Sequence, residues 1–246
     1  MNSRGKLVVL EGIDGAGKGT QTALLCAALE ARGVAFARFG FPHYESSFGR
    51  LIARFLNGEF GKLEQVDAHF SALLYAGDRF EAKAQLEAAL GSGKLAIADR
   101  YTASNLAHQT ARVAPEKRAG FLVWLEGLEY GIYGLPVEDL VIYLRVEPTA
   151  AQELVSRKKG RGYTTLKRDL QESDLNHLKQ AAALYDRLAK RINWVTIECY
   201  DAAASALRAP EEIHRDVLGA LEAHVLARAA TSSFRRSGAN AARERR

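Results

Sequence analysis

The sequence predicts an α/β fold in three layers, a five-stranded parallel sheet flanked by helices. Three observations carry this reading. Five short apolar segments punctuate the chain, helical patterns separate them, and a glycine-rich turn follows the first of them. The segments are 6–10, 35–39, 95–98, 140–144 and 194–197. Most are near-continuous apolar runs, as parallel strands covered on both faces require.

The first helix is expected over 20–32, with Ala23, Leu24, Ala27, Ala28 and Ala31 on one stripe and Gly33 as its stop. Further helices are expected over 47–56, 67–90, 118–130, 149–157 and 171–191. The last begins at Pro210, with Glu211 and Glu212 behind it, and runs to about residue 230. Proline at the first turn followed by acids suits a helix start. Its apolar face is Ile213, Val217, Leu218, Leu221, Val225 and Leu226.

With 246 residues, 48% of them hydrophobic, the chain can bury one large core, so wholesale disorder is excluded. No apolar run approaches the roughly 20 residues of a membrane span, and no signal-peptide apolar stretch follows Met1. The two cysteines, Cys26 and Cys199, have no metal-ligand spacing and fit reduced thiols in the cytoplasm. The net charge of +5 is concentrated at the end. Residues 231–246 hold five Arg against one Glu, which leaves +1 on the other 230 residues. A nearly neutral body does not look like a nucleic-acid-binding domain. Residues 1–230 therefore read as one domain, and 231–246 as a basic tail expected to be disordered.

The most informative stretch runs from Glu11 to Gln21, Glu-Gly-Ile-Asp-Gly-Ala-Gly-Lys-Gly-Thr-Gln. It follows a strand and precedes a helix, the context a phosphate-binding loop requires. Glycines let successive backbone N–H groups turn inward onto phosphate oxygens, and the helix N-terminus adds positive potential. Gly12, Asp14, Gly15, Ala16, Gly17, Lys18, Gly19 and Thr20 are the candidate ATP phosphate contacts, with Lys18 reaching the β- and γ-phosphates. The strict pattern has Ser or Thr directly after the lysine, to hold Mg²⁺. Here Gly19 stands there, with Thr20 one later. Gly-Lys-Gly-Thr-Gln resembles the loop of adenylate kinases and related kinases, in which phosphates and water hold most of the metal. The competing reading is a glycine-rich turn that binds nothing.

Four further blocks follow in order: Phe41-Pro42-His43-Tyr44, Tyr75-Ala76-Gly77-Asp78-Arg79, Asp99-Arg100-Tyr101 with Ser104-Asn105, and a basic segment from Arg157 to Arg161. Together with the loop, they make the chain resemble the thymidylate kinase family over roughly residues 5–200. The resemblance implies a P-loop kinase fold with a mobile lid at about 157–167. It also implies ATP-dependent, Mg²⁺-dependent phosphorylation of dTMP to dTDP in a cytoplasmic homodimer.

Site roles follow from that resemblance. Asp14 would accept from the 3′-hydroxyl of dTMP and lie near the metal. Phe41 and Tyr44 would line the dTMP site; some members carry Arg where this chain has Tyr44, and Arg38 is a candidate substitute. Tyr75 would stack on thymine, and Arg79, four residues on and so on the same helix face, would bond the base and bridge to phosphate. Asp99 would hold Mg²⁺ directly or through water, and Arg100 would clamp the phosphate of dTMP and the group in flight. Ser104 and Asn105 match positions at the thymine edge. His108 stands near where the family often has a Tyr that crowds the sugar 2′ position. The P-loop has no Arg, so the donor-side cation would come from Arg157 or Arg161, with Lys158 and Lys159 as weaker candidates. The alternatives are a kinase for UMP, CMP or AMP, which Tyr75, Arg79 and Asn105 oppose, and a non-catalytic nucleotide-binding protein, which rests on Gly19 and Tyr44.

Overall fold

The computed structural model describes residues 4–157, 174–201 and 206–226. Its centre is a five-stranded sheet in the order β2-β3-β1-β4-β5, with every neighbouring pair parallel. The strands are β1 (Leu7–Glu11), β2 (Phe36–Gly40), β3 (Leu95–Asp99), β4 (Leu140–Arg145) and β5 (Trp194–Glu198). All five expected segments are strands, with boundaries shifted by at most one residue.

Alternation along β1 explains the continuous apolar runs. Leu7 and Val9 pack with Leu86 and Leu90 of helix α3 (Ala68–Gly91), whereas Val8 and Leu10 pack with Leu25 and Leu29 of helix α1 (Lys18–Ala31). Each face of the sheet buries its own set, which makes the three layers. α8 (Pro210–Leu221) lies beside α1, and Gln21 of α1 donates to the carbonyl of Pro210 at 2.9 Å.

The buried face of α1 is not the expected alanine stripe. Ala23, Ala27 and Ala31 are exposed, and Gln21, Thr22, Leu25, Cys26 and Leu29 are buried. Two of the core-facing residues are polar, which disguised the face. Gly33 has φ +66° just beyond α1 and donates to Glu30, as a helix stop should.

Helix α2 (Ser47–Leu56) has the expected bounds, and Ser46 caps it by accepting from the Gly49 N–H. The expected helix over 118–130 is α5 (Arg118–Glu126) continued as a π-helical turn, Gly127–Ile132. α6 spans Pro148–Arg157, and α7 spans Leu175–Leu188, capped by Asp174. A second π-helical turn, Glu222–Leu226, extends α8.

Besides a single 3₁₀ turn at Pro115–Lys117, two features have no counterpart in the sequence reading. A small antiparallel pair joins Tyr200–Asp201 to Ala206–Leu207. More important is helix α4 (Thr102–Ala111), in which nine of the ten residues are buried. A helix covered almost all round shows no amphipathic period, and its polar side chains read as loop. No helix among the described residues is long and apolar enough to cross a membrane. Cys26 and Cys199 are free and buried. The tail 231–246 and the segment 158–173 lie outside the described residues.

Candidate active site

The carboxyl ends of β1 and β3 both open onto one cleft, where an open α/β sheet gathers its ligands. From β1 the chain enters the glycine loop. Gly12, Gly15 and Gly17 have φ of +147°, +90° and +87°. A Cβ at Gly15 would stand 2.2 Å from the Ala151 carbonyl oxygen, so both conformation and space demand glycine. α1 starts at Lys18, two residues earlier than expected, and its first N–H groups face the loop.

The Lys18 ammonium donates to the carbonyls of Gly12 and Ile13, each at 2.8 Å. Burial, reinforced by the nearby Arg100, lowers its pKa to about 7. Polyphosphate at this position would raise it again.

A donor-side cavity is lined by Asp14, Gly15, Gly17, Lys18, Gly19 and Asp99, and by Arg100 and Tyr44 at its far wall. Thr20 is exposed in the first turn of α1 and is not among the lining residues. At Gly19 the structure gives a reason for the bare position. A Cβ there would lie 3.3 Å from Asp99 Oδ2, tighter than ordinary contact, so the carboxylate sits directly against the helix start. Among the described residues the Asp99 carboxylate makes no ion pair or hydrogen bond, and no group of three or more His, Cys, Asp or Glu is arranged to hold a metal alone. One uncommitted carboxylate beside a phosphate loop fits Mg²⁺, which takes one or two carboxylates and completes its shell with phosphate and water.

The acceptor-side cavity adjoins it. Phe41, Tyr44, Tyr75, Arg79, Arg100, Ser104, Asn105 and His108 all line it, with Asp14. Thus every residue expected in the dTMP site lies in one cavity.

Arg100 occupies the left-handed region at φ +67°, rare for a residue with a side chain. Its guanidinium pairs with Asp14 and donates to Ser104 Oγ at 3.1 Å and to the Gly12 carbonyl at 3.3 Å. Burial opposes its charge, but Asp14 and then Tyr185 and Asp99 more than compensate and hold it protonated.

Beneath it is Glu11, fully buried, which accepts from the Tyr101 N–H (2.7 Å), the Ser104 hydroxyl (2.7 Å) and the Tyr185 hydroxyl (2.9 Å). Burial raises the Glu11 pKa against those bonds. This one carboxylate ties β1 to the start of α4 and to α7, and so fixes Arg100.

Arg79 is more constrained than expected. It is 2% exposed and directs Nε and Nη2 at Glu129, which is fully buried in the turn after α5. Its Nη1 makes no hydrogen bond to the described residues and is the group left for a ligand. Asn105 donates its amide to Glu129 (2.7 Å) and to the Ala72 carbonyl (3.0 Å), while its Oδ1 is buried without a partner among the described residues. Glu129 thus organises the two residues expected to read the base.

The 41–44 loop is held by Asp78, which accepts from the His43 N–H at 3.0 Å and from Ser46 Oγ at 2.8 Å. Phe41 packs on Tyr101 with ring centroids 5.8 Å apart.

One candidate lies away from the site. Arg38 is exposed on the edge strand β2 and lines neither cavity. α6 ends at Arg157, where the basic segment was expected, but the Arg157 side chain and Lys158, Lys159 and Arg161 lie outside the described residues.

Glu11, Asp78 and Glu129 are the supports that sequence reasoning missed. Glu11 and Asp78 lie within recognised motifs, which was a usable signal. Glu129 has none, because it lies 50 residues from Arg79.

A glycine loop with a buried lysine, opening beside a second cavity lined by Arg79, Arg100, Phe41, Tyr44 and Tyr75, defines a P-loop kinase for nucleotides. The family model for thymidylate kinase matches residues 10–213. A thymidylate kinase of Mycobacterium tuberculosis is 33% identical over 186 residues, covering 74% of this chain and 85% of the relative. One of Danio rerio is 30% identical over 215 residues, covering 87% and 88%. The solved thymidylate kinase of Candida albicans shares the fold, with TM-score 0.71 at 20% identity over 91% of this chain and 93% of that one. The chain belongs to the thymidylate kinase family, whose members are phosphotransferases with ATP as donor.

Proposed function

We propose that this chain moves the γ-phosphate of ATP onto dTMP, giving dTDP, by in-line transfer across the wall between the two cavities. One observation carries the reading. Asp14 and Arg100 line both the donor-side and the acceptor-side cavity, so one ion pair would border both nucleotides.

The phosphate loop cradles the donor, and Lys18 follows charge as it spreads over the transferring group. Arg100, held charged by Asp14, faces the acceptor phosphate and the group in flight. Tyr75 stacks on thymine, and Arg79 Nη1 and Asn105 meet its polar edge. His108 lies against the sugar. Bound Mg²⁺, held by Asp99 and more weakly by Asp14, would neutralise charge on the donor phosphates. Arg157 or Arg161 would add the donor-side cation on lid closure. The acceptor is already a phosphate oxygen anion, so no strong general base is needed, and most of the work is positioning and electrostatics.

We read the protein as a cytoplasmic homodimer. Free buried cysteines agree with the compartment, and the exposed Phe70 and Leu73 on α3 offer apolar surface for a second copy. Sedimentation would find a monomer if that part is wrong.

The test is ADP release with ATP and Mg²⁺ across dTMP, dUMP, UMP, CMP and AMP, against a control without acceptor. The expected result is a strong preference for dTMP. Preference for another monophosphate would keep the reaction but move the base assignment. No stimulation by any acceptor would sink the catalytic reading.

A further inference from the structure

Two histidines are buried against each other beside the acceptor cavity. His108 of α4 lines that cavity, and His177 of α7 lies behind it; each is 4% exposed. His108 Nδ1 and His177 Nε2 are 3.3 Å apart. Two turns further along α7, the Tyr185 ring meets the His108 ring edge-on, with centroids 6.0 Å apart. The Tyr185 hydroxyl is itself anchored, 3.0 Å from Ser104 Oγ and donating to Glu11 at 2.9 Å. α7 therefore grips His108 at two points, while His108 Nε2 is buried with no partner among the described residues.

Two ring nitrogens at this distance need one proton between them. Burial disfavours charge on both rings and brings the His177 pKa down to about 4, so at neutral pH both are neutral. The tautomer is then decided by what is left over. If His177 donated, His108 would carry an Nε2–H buried with no acceptor. If His108 donates from Nδ1, only a lone pair is left at Nε2. Orphaned buried N–H groups are the rarer and costlier case.

The position of His108 is also defined. Ser104, which bonds Arg100 at the phosphate end, is one turn back on the same face of α4, and Asn105 marks the base end. His108 lines the same cavity one turn beyond them on α4, where the proposed reading puts the sugar. Because Nε2 is fully buried, the sugar meets ring carbon rather than a hydrogen-bonding nitrogen. A 2′-hydroxyl pressed there would lose water and gain no partner.

We propose that His177 is a positioning residue for sugar selection: by accepting the His108 Nδ1–H, it locks that ring as a rigid apolar wall against a 2′-hydroxyl. The inference rests on the reading of the cavity as the dTMP site. Removing the acceptor frees the ring to turn aside and admit the larger sugar, so selectivity falls without any change at the donor loop.

Wild type, His177→Leu and His177→Gln would be compared on dTMP and on its ribose counterpart, 5-methyluridine 5′-monophosphate. A glutamine amide oxygen can accept where Nε2 does. Rejection of an added hydroxyl by an apolar wall is worth about 10²-fold in kcat/KM. The expected result is a wild-type preference of that order, a loss of roughly tenfold of it in His177→Leu, and retention in His177→Gln. The KM for ATP should not move in either variant. A ratio unchanged in His177→Leu, or lost equally in His177→Gln, would overturn the proposal. A wild type active on dTMP but indifferent to the sugar would overturn it while leaving the acceptor reading intact. Inactivity on dTMP would remove both. Histidine ¹H–¹⁵N spectra of the wild type give a check that needs no variant: His108 should be protonated at Nδ1, and an Nε2–H signal would refute the tautomer.

Discussion

The donor loop and the acceptor cavity share Asp14 and Arg100, yet they are built in opposite ways. The loop comes from one unbroken stretch, 11–21, and what it offers a phosphate is chiefly backbone N–H groups. The acceptor cavity draws side chains from the P-loop, the 41–44 loop, α3 and α4. Its key residues are held by carboxylates still further away, Glu11 and Glu129. Binding by backbone needs only local geometry. Binding by side chains needs a second set of residues to fix the first.

That contrast can be broken experimentally, beginning with the largest effect. Lys18→Ala should lower kcat by about 10³-fold, as loss of a donor to developing charge does elsewhere. Because the loop's shape is set by its glycines, thermal stability should change little. Unfolding of this variant at ambient temperature would mean that the loop is not the self-contained unit described.

Arg79→Met should behave differently. It leaves Glu129 buried and unpaired, at a cost of about 3–5 kcal/mol of stability by urea unfolding. It should also raise the KM for dTMP while sparing that for ATP. Adding Glu129→Gln should restore stability but not acceptor binding. If ATP suffers instead, Arg79 is not in the base site.

Smaller is Tyr75→Leu, which keeps apolar bulk but removes stacking. About 1 kcal/mol, or roughly fivefold in the KM for dTMP, is expected. An unchanged KM would place the base elsewhere.

The last effect is a proton rather than a rate. With its pKa near 7, Lys18 is about half protonated at neutral pH in the free protein, and bound phosphates would complete its charge. ATP binding should take up a proton, more at pH 8 than at pH 6. Titration calorimetry in buffers of different ionisation enthalpy measures this. The sign for stability is the reverse of a salt-bridged lysine. Between pH 7 and 10.5 the unfolded chain holds this proton and the folded one does not, so this group's contribution to stability rises with pH. Absence of proton uptake would show that Lys18 is fully charged before ATP arrives.

The residues that line the two cavities were largely legible, because each belongs to a short motif with a fixed offset. Tyr75 and Arg79 share a helix face at four residues' spacing, and Asp99 and Arg100 end a strand that points at the cleft. What holds those residues was not. Glu129 gives no local sign of pairing with Arg79. α4 looked like loop because burial on all sides erased its periodicity. α1 was assigned the wrong face because Gln21 and Thr22 are buried there.

By itself the sequence determined the parallel α/β architecture, the phosphate loop and the set of residues that meet in the acceptor cavity. These follow from strand hydrophobicity, glycine conformation and helix periodicity, which act over a few residues. Only the tertiary structure decided which carboxylate pairs with which arginine, why Gly19 faces Asp99, and that His177 stands behind His108. Those contacts join residues far apart in the chain. They depend on how desolvated charges find partners once the helices have packed, and no local pattern encodes that choice.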